Sequence, residues 1–360
     1  MSHGPEMTAV RVHGPGDLRV DRVPDPVATP GSVLVRVLAV GVCATDRKIA
    51  ARGAAGPLVL GHEIVGEVVP EAGSAAGSLP HRVVVAPNVG CGECWQCLRG
   101  SPNYCLENRA FGIHVDGGMA EFLLVPERAV AAGHLLDVPA ELGDVDAALV
   151  EPLACCVESL TACSLAPGES VLIVGGGVMG RLHVTLAKAL GAGTVVIVDR
   201  HEERLAHAAR LGADLCVLDA GNGLEDSLAE QAATANPHPP GGFDVVIVTV
   251  GQAAAVAAGQ RLLATAGRLN VFGGLPKSEP ELTLDGNTLH YRNQAVLGTT
   301  GASMSSLRRA IQLLAAGELN ITGLVSAEYP LSEASAAFAA AGSVDHARVV
   351  LVTGPAGDVA

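Results

Sequence analysis

Residues 91–105 read CGECWQCLRGSPNYC and hold four of the chain's nine cysteines, spaced Cys91-x2-Cys94-x2-Cys97-x7-Cys105. Four thiols at that density make disulfides, a redox centre or a metal cage. Three other stretches carry donor groups of related kinds. GVCATDRK sets Cys43 at a strand end with Thr45 and Asp46 behind it, GHEIVGE brings His62 and Glu63, and LVEPLACC brings Glu151. Thiolate sulfur, imidazole nitrogen and carboxylate oxygen are the atoms from which zinc sites are assembled. Taken singly, Cys43 reads as a buried small side chain, His62 as a satisfied core imidazole and Glu151 as a helix-start carboxylate.

A second chemical signal is Gly175-x-Gly177-x-x-Gly180, in SVLIVGGGVMGRLHV. The glycines follow an apolar strand and open a helix through Val178 and Met179, and Asp199 closes the next strand, TVVIVD. Gly175 permits a tight turn, Gly177 lets backbone approach a pyrophosphate, and Gly180 lets the helix pack closely on the sheet, with the helix N-terminus facing the anion. Asp199 is placed to accept hydrogen bonds from the adenine-side ribose and to repel a 2′-phosphate, so NAD is expected over NADP. Arg200 next to it pulls the other way, because a guanidinium there suits a phosphate.

These side chains need elements to position them. Up to Pro152 the chain reads as short β-branched runs bounded by Gly and Pro, among them SVLVRVLAVGVC, EIVGEVV, HRVVVAP and AEFLLVP, which predicts an antiparallel, barrel-like β domain. From Glu169 onward, apolar strands alternate with Ala-rich helices. Helices are expected at Met179–Leu190, Glu202–Leu211, Leu224–Ala233 and Ala253–Ala264, and strands at SVLIVGGG, TVVIVD, DLCVL, FDVVIVTV and GRLNVFGG. That alternation predicts right-handed βαβ units in a doubly wound parallel sheet. NPHPPGG, 236–242, is expected to be a loop between units; after about residue 290 come a strand QAVLGTT, a helix Ser305–Ala316 and a final strand ARVVLVTG.

Aromatic residues are only 2% of the chain while hydrophobic residues are 49%, so the core must be built from Ala, Val, Leu and Ile. The formal net charge of -14 argues against nonspecific nucleic-acid binding, which needs cationic surface. The start, MSHGPEMTAV, has neither a basic n-region nor an apolar h-region. Apolar runs such as Val171–Val174 and Val245–Val250 are too short to span a bilayer. A cytoplasmic location without membrane or nucleic-acid partners is therefore expected, and reduced thiols there disfavour the disulfide reading.

Cys43 with Thr45 and Asp46, then GHE, the four-cysteine lobe, the Glu151–Pro152 pair and the dinucleotide fingerprint stand in one order. This combination resembles the zinc-dependent medium-chain dehydrogenase/reductase family, the alcohol dehydrogenase-like enzymes, from about Thr8 to Val352. The resemblance implies an α/β fold: a GroES-like β-barrel catalytic domain from residues 1–153 and 291–360, with a structural zinc lobe at 88–108. A Rossmann NAD-binding domain, 154–290, is inserted into it, and the active site falls in the cleft between them.

The resemblance further implies two zincs per chain. One is closed by Cys91, Cys94, Cys97 and Cys105; the other, catalytic, is held by Cys43, His62 and one of Glu63 or Glu151. Asp46 then orients His62, Thr45 begins a proton relay, and Arg348 meets the cofactor pyrophosphate. Lys48 stands where many members place a relay histidine and is read as solvent-facing. The "EP" pattern is similar to that of polyol (sorbitol-like) and threonine dehydrogenases. The implied function is a zinc-dependent NAD(H) oxidoreductase that interconverts a secondary alcohol, of the polyol, amino alcohol or cyclitol class, and its ketone by hydride transfer. One alternative is an aminocyclitol such as 2-deoxy-scyllo-inosamine as substrate; a non-catalytic zinc- and nucleotide-binding protein is the alternative of another class. His114 and Tyr291 are candidates to line the substrate site, and Cys155, Cys156, Cys163 and Cys216 read as core. A homodimer or homotetramer pairing around Gln294–Thr299 is also implied.

Overall fold

Strand alternation decides the architecture of the first part of the chain. In the Val33–Val42 strand, VLVRVLAVGV, alternate positions are buried at the start and the last four all are, so the strand runs from a sheet face into an enclosed end. The computed structural model describes residues 5–70, 79–221, 223–228, 241–344 and 346–354. They form two units: 1–154 with 301–316 and 325–360, and 155–300 with 317–324.

The first unit is built on a 7-stranded sheet. Along its path lie Leu135–Asp137, Arg82–Val85, Glu63–Val68, Val33–Val42, Arg348–Val352 and Val325–Pro330, with Phe122–Val125 also pairing with the early half of Val33–Val42. A 3-stranded sheet of Asp17–Pro24, Glu6–Gly14 and Leu58–Val59 accompanies it. The four runs read as strands in this part of the sequence are all present. Their inward residues, such as Val35, Val37, Val40, Ile64, Val83 and Val85, join one core with Met119 and Leu351. Val, Leu, Ile and Ala supply nearly all of it, as the aromatic shortage requires.

The second unit carries a 6-stranded sheet in the order Leu215–Leu218, Thr194–Asp199, Ser170–Val174, Phe243–Val248, Leu263–Val271, Ala295–Gly298. Every neighbouring pair is parallel. Numbered along the chain this is 3-2-1-4-5-6, the order of a dinucleotide-binding sheet. The strands are apolar along their length because both faces are covered: all of Ser170–Val174 is buried.

Two expected boundaries shift, and a third falls outside the described residues. The helix expected over Ala253–Ala264 ends at Arg261, because Leu263 already enters a strand that pairs with Phe243. Of the helix expected at Leu224–Ala233, residues 224–228 are helical and the rest lies outside the described residues, as does most of the expected loop at 236–242. The chain returns to the first unit at Gly301, not at 291, because Ala295–Gly298 still pairs with the parallel sheet along Arg268–Val271. Among the described residues no helix is long and apolar enough to cross a membrane.

Candidate active site

Strand pairing assembles the first cluster. The Val33–Val42 strand ends at Cys43, and its neighbours on both sides run antiparallel to it. Antiparallel neighbours start where the middle strand ends, so Gly41 lies opposite Glu63 on one side and Val350 on the other. His62, Glu63 and Arg348 therefore converge beside Cys43. Donor atoms of Cys43, His62 and Glu63 lie within 4.8 Å of one another. Glu63 and Asp46 are wholly buried, and His62, Glu151 and Arg348 nearly so.

Asp46 sits in the first turn of the Ala44–Arg52 helix. Its carboxylate accepts the Cys43 N–H at 2.8 Å and the Gly61 N–H at 3.1 Å, and Oδ1 stands 3.3 Å from His62 Nδ1. A carboxylate behind an imidazole fixes its orientation and raises its basicity as a metal ligand. Arg348 donates through Nη1 to the Val42 carbonyl at 3.0 Å, and its Nη2 lies 3.2 Å from Glu63 Oε1. The resemblance places Arg348 at the cofactor pyrophosphate; in the structure its guanidinium is buried against Glu63 and the strand end, where the charges of Cys43 and Glu151 act on it.

Burial is the largest influence on all three donors. It pushes the Glu63 carboxyl well above its usual range, against the pull of Arg348. It also opposes charge on the Cys43 thiol, but His62 and then Arg348 outweigh it and hold that thiol at about 7. His62 is held well above its usual value, burial notwithstanding, by Asp46 and Cys43. Neither Glu63 carboxylate oxygen makes a hydrogen bond, and only Oε1 has a charged neighbour, Arg348 at 3.2 Å; Oε2 is left without a polar partner, a costly state for a buried carboxylate. A divalent cation among these sulfur, nitrogen and oxygen atoms removes that cost, and the donor set fits zinc. Glu151, in the first turn of the Val150–Ala162 helix, is near enough for its charge to act on Glu63 and Arg348, but it does not belong to the three-residue donor group.

Thr45 is half-buried and Lys48 exposed on the same helix. His114 accepts the Ala110 N–H at 3.0 Å through Nδ1 and so closes a turn. Tyr291, in the second unit, is 81% exposed and packs edge-on against His290.

The four-cysteine stretch forms a second donor group. Cys91 follows the Asn88–Val89 strand, Cys94 precedes and Cys97 lies within the short Trp95–Leu98 helix, and Cys105 closes the Pro102–Tyr104 turn. Cys91 Sγ and Cys97 Sγ are 3.9 Å apart, and Cys94 Sγ and Cys97 Sγ 3.6 Å. A disulfide would hold them at about 2.05 Å, whereas sulfurs each about 2.3 Å from one tetrahedral zinc stand about 3.8 Å apart. The N–H groups of Cys91 and Cys94 point to the sulfurs of Cys105 and Cys91, at 3.4 and 3.3 Å. All nine cysteines are free thiols. Trp95, Leu98 and Leu106 are exposed, so the lobe has little apolar core of its own and depends on what its thiolates bind. Burial pushes Cys163 up to about 12 and Cys216 up to about 11, which keeps them protonated and inert, as core cysteines are. Cys156 is likewise buried, and Cys155 partly so.

The glycine loop lies in the second unit. Gly175 has φ 104°, which only glycine adopts without strain. Gly177 caps the Val178–Ala189 helix, with Met179 in its first turn and open space beside the cap. A Cβ on Gly180 would overlap the Gly175 carbonyl oxygen, so the helix can approach the loop this closely only with glycine there. Asp199 ties the loop to the next strand: Oδ2 accepts the Gly176 N–H at 2.6 Å and Oδ1 the His201 N–H at 2.9 Å. Arg204 Nη1 lies 3.7 Å from Asp199 Oδ2. Gly175, Asp199, Arg200, Arg204 and Gln252 line a cavity of about 410 Å³, within the usual range for a small-molecule site. Sequence reasoning missed Arg204; a basic side chain in the first turns of the helix after the acid-terminated strand was the available signal.

Known proteins carry the same two parts. The zinc-binding dehydrogenase family model matches residues 178–316, and the alcohol dehydrogenase GroES-like domain model matches 29–135. L-threonine 3-dehydrogenase of Pyrococcus furiosus is 30% identical over 336 residues, covering 91% of this chain and 88% of its own. Sorbitol dehydrogenase of Bacillus subtilis is 29% identical over 336 residues, covering 91% of both chains. A Sinorhizobium meliloti 1021 structure, assigned as a zinc-binding dehydrogenase bound to NADP, matches at 35% identity and TM-score 0.85 over 97% of this chain and 99% of its own. With its donor groups, glycine loop and parallel sheet in the same order, the chain belongs to the zinc-dependent medium-chain alcohol dehydrogenase family, whose cofactors are zinc and NAD(P).

Proposed function

We propose that this enzyme oxidises a secondary alcohol of the polyol or amino alcohol class to its ketone, or runs the reverse reduction, with the chemistry centred on Cys43, His62 and Glu63. The observation that carries this is the convergence of those three buried donors within 4.8 Å, with no hydrogen bond on either Glu63 carboxylate oxygen. When bound, zinc acidifies the substrate hydroxyl as a Lewis acid and the nicotinamide carries the hydride. Cys43 and His62 hold the metal, Glu63 is the third ligand, and Asp46 locks the His62 ring. Glu151 contributes negative charge next to Glu63 and Arg348. Thr45, half-buried two residues past the Cys43 cap, takes the substrate proton towards solvent. Arg348 balances Glu63.

The threonine and sorbitol dehydrogenase relatives, together with the Glu151–Pro152 pair, support that substrate class. Cys91, Cys94, Cys97 and Cys105 hold a second, structural zinc. NAD is the preferred cofactor, on the strength of Asp199, although the 35% identical neighbour was solved with NADP. The need for reduced zinc ligands supports a cytoplasmic location. Ala295–Gly298 is an edge strand of the parallel sheet, which supports pairing of two chains there as a dimer or tetramer; a single-chain mass in light scattering would refute it.

The test is a panel of polyols, amino alcohols, aminocyclitols and simple primary alcohols with NAD and NADP, followed by cofactor absorbance. Turnover of a secondary polyol or amino alcohol, abolished by Cys43→Ser with cofactor binding intact, is expected. Turnover by the metal-free enzyme or by Cys43→Ser would overturn the reading.

A further inference from the structure

Gly41 is the last residue but one of the Val33–Val42 strand and lies directly opposite Glu63 in the neighbouring strand. Glycine weakens a strand interior relative to alanine, and there it often marks a place where another group comes close. The backbone does not ask for it, since Gly41 is not among the residues with positive φ. The side chain across the strand does. A Cβ built on Gly41 would overlap Glu63 Oε2, whereas Glu63 Cδ and Cβ would stay at 3.0 and 3.1 Å. The severe conflict is thus with the carboxylate oxygen; the two carbons are also tight and must give by a few tenths of an ångström, which a small local shift can supply.

That oxygen has nowhere neutral to go. Glu63 is fully buried, so there is no solvent to swing into. Its other oxygen faces Arg348 at 3.2 Å, and Cys43 and His62 close the remaining side. We infer that Gly41 is a positioning residue: its bare Cα face is the seat of the Glu63 carboxylate and sets where that carboxylate stands against Cys43 and His62. This deepens the proposed reading of those three residues as metal ligands and rests on it. Gly41→Ala evicts Oε2 from its seat and weakens metal retention, while the sheet remains.

The experiment measures zinc per chain across buffered free-zinc concentrations. It uses the full-length wild type, Gly41→Ala, Glu63→Ala and the double variant, with Cys43→Ser marking which zinc belongs to the cluster. Gly41→Ala is expected to lower retention of that zinc roughly tenfold to hundredfold, the range for groups that support a ligand. In the Glu63→Ala background Gly41→Ala should cost far less, because the carboxylate is gone and only the 3.1 Å contact with Cβ remains; contacts that act through one another are non-additive in this way. Unchanged retention in Gly41→Ala, or the same fold-loss in both backgrounds, overturns the inference. If Gly41→Ala alone fails to fold, a folded double variant that matches Glu63→Ala supports it, and an unfolded one overturns it. A wild type without any Cys43-dependent zinc removes the metal reading itself, and the inference with it.

Discussion

Asp199 does two jobs through one carboxylate. It ties the Gly176 and His201 N–H groups and it borders the nucleotide cavity, where Arg204 stands 3.7 Å away. Asp199→Ala should therefore raise the KM for NAD by roughly tenfold, a charge-assisted hydrogen-bond loss of about 1.5 kcal/mol, and should shift the NAD to NADP ratio towards NADP. Steady-state kinetics with both cofactors would show it; an unchanged ratio would assign cofactor choice to Arg200 and Arg204. At this scale the four lobe cysteines were legible from their spacing alone, whereas Cys43 and His62, each with an ordinary core reading, stood out only in combination with Asp46, the Glu151–Pro152 pair and the glycine loop. Arg348 was not legible in the same way. Its place beside Glu63 follows from two strands, far apart in the chain, flanking Val33–Val42, and pairing of that kind leaves no local pattern. Gly41 was silent for the same reason.

The Val178–Ala189 helix supplies an acid-sensitive element. His183 is fully buried, and its Nδ1 faces the Met179 carbonyl at 2.7 Å while its ring packs edge-on to Phe272. Burial pushes it down to about 4, from 6.5. Between these values the unfolded chain binds a proton that the folded one refuses, so stability falls as pH drops from about 6.5 towards 4, by up to about 1.4 kcal/mol per pH unit. Denaturant unfolding of wild type and His183→Leu across that window should show the loss shrinking in the variant; equal slopes would clear His183 of the effect. The cysteine lobe is an element of the opposite kind, held by its donors and not by packing. Cys94→Ser should lower the thermal midpoint by roughly 5–10 °C, a few kcal/mol for a chain of this size, while an enzyme still folded at low temperature keeps its turnover. Loss of turnover without loss of stability would contradict a scaffold role. Periodicity predicted the strands and helices of the parallel sheet well, because strands buried on both faces leave continuous apolar runs. It erred at Ala253–Ala264, where the helix stops at Arg261 and Leu263 is already paired with Phe243.

At the scale of the whole molecule the chain keeps its metal donors in one unit and its dinucleotide loop in the other. The order of motifs made this division legible from sequence. The return point was not, since a short strand such as Ala295–Gly298 carries no mark of which sheet will take it; pairing with Arg268–Val271 decides that. The division also separates two proposed roles that single variants can dissect, metal ligation by residues of the first unit and cofactor binding by the second. In the proposed mechanism Cys43, His62 and Glu63 hold the metal that does the chemistry, while the four-cysteine lobe holds another. Zinc content per chain, by elemental analysis of purified wild type and Cys43→Ser, tests it most directly. Two zincs are expected in the wild type and one in Cys43→Ser, with the remaining zinc lost only when a lobe cysteine is also replaced. Equal zinc content in wild type and Cys43→Ser would contradict it.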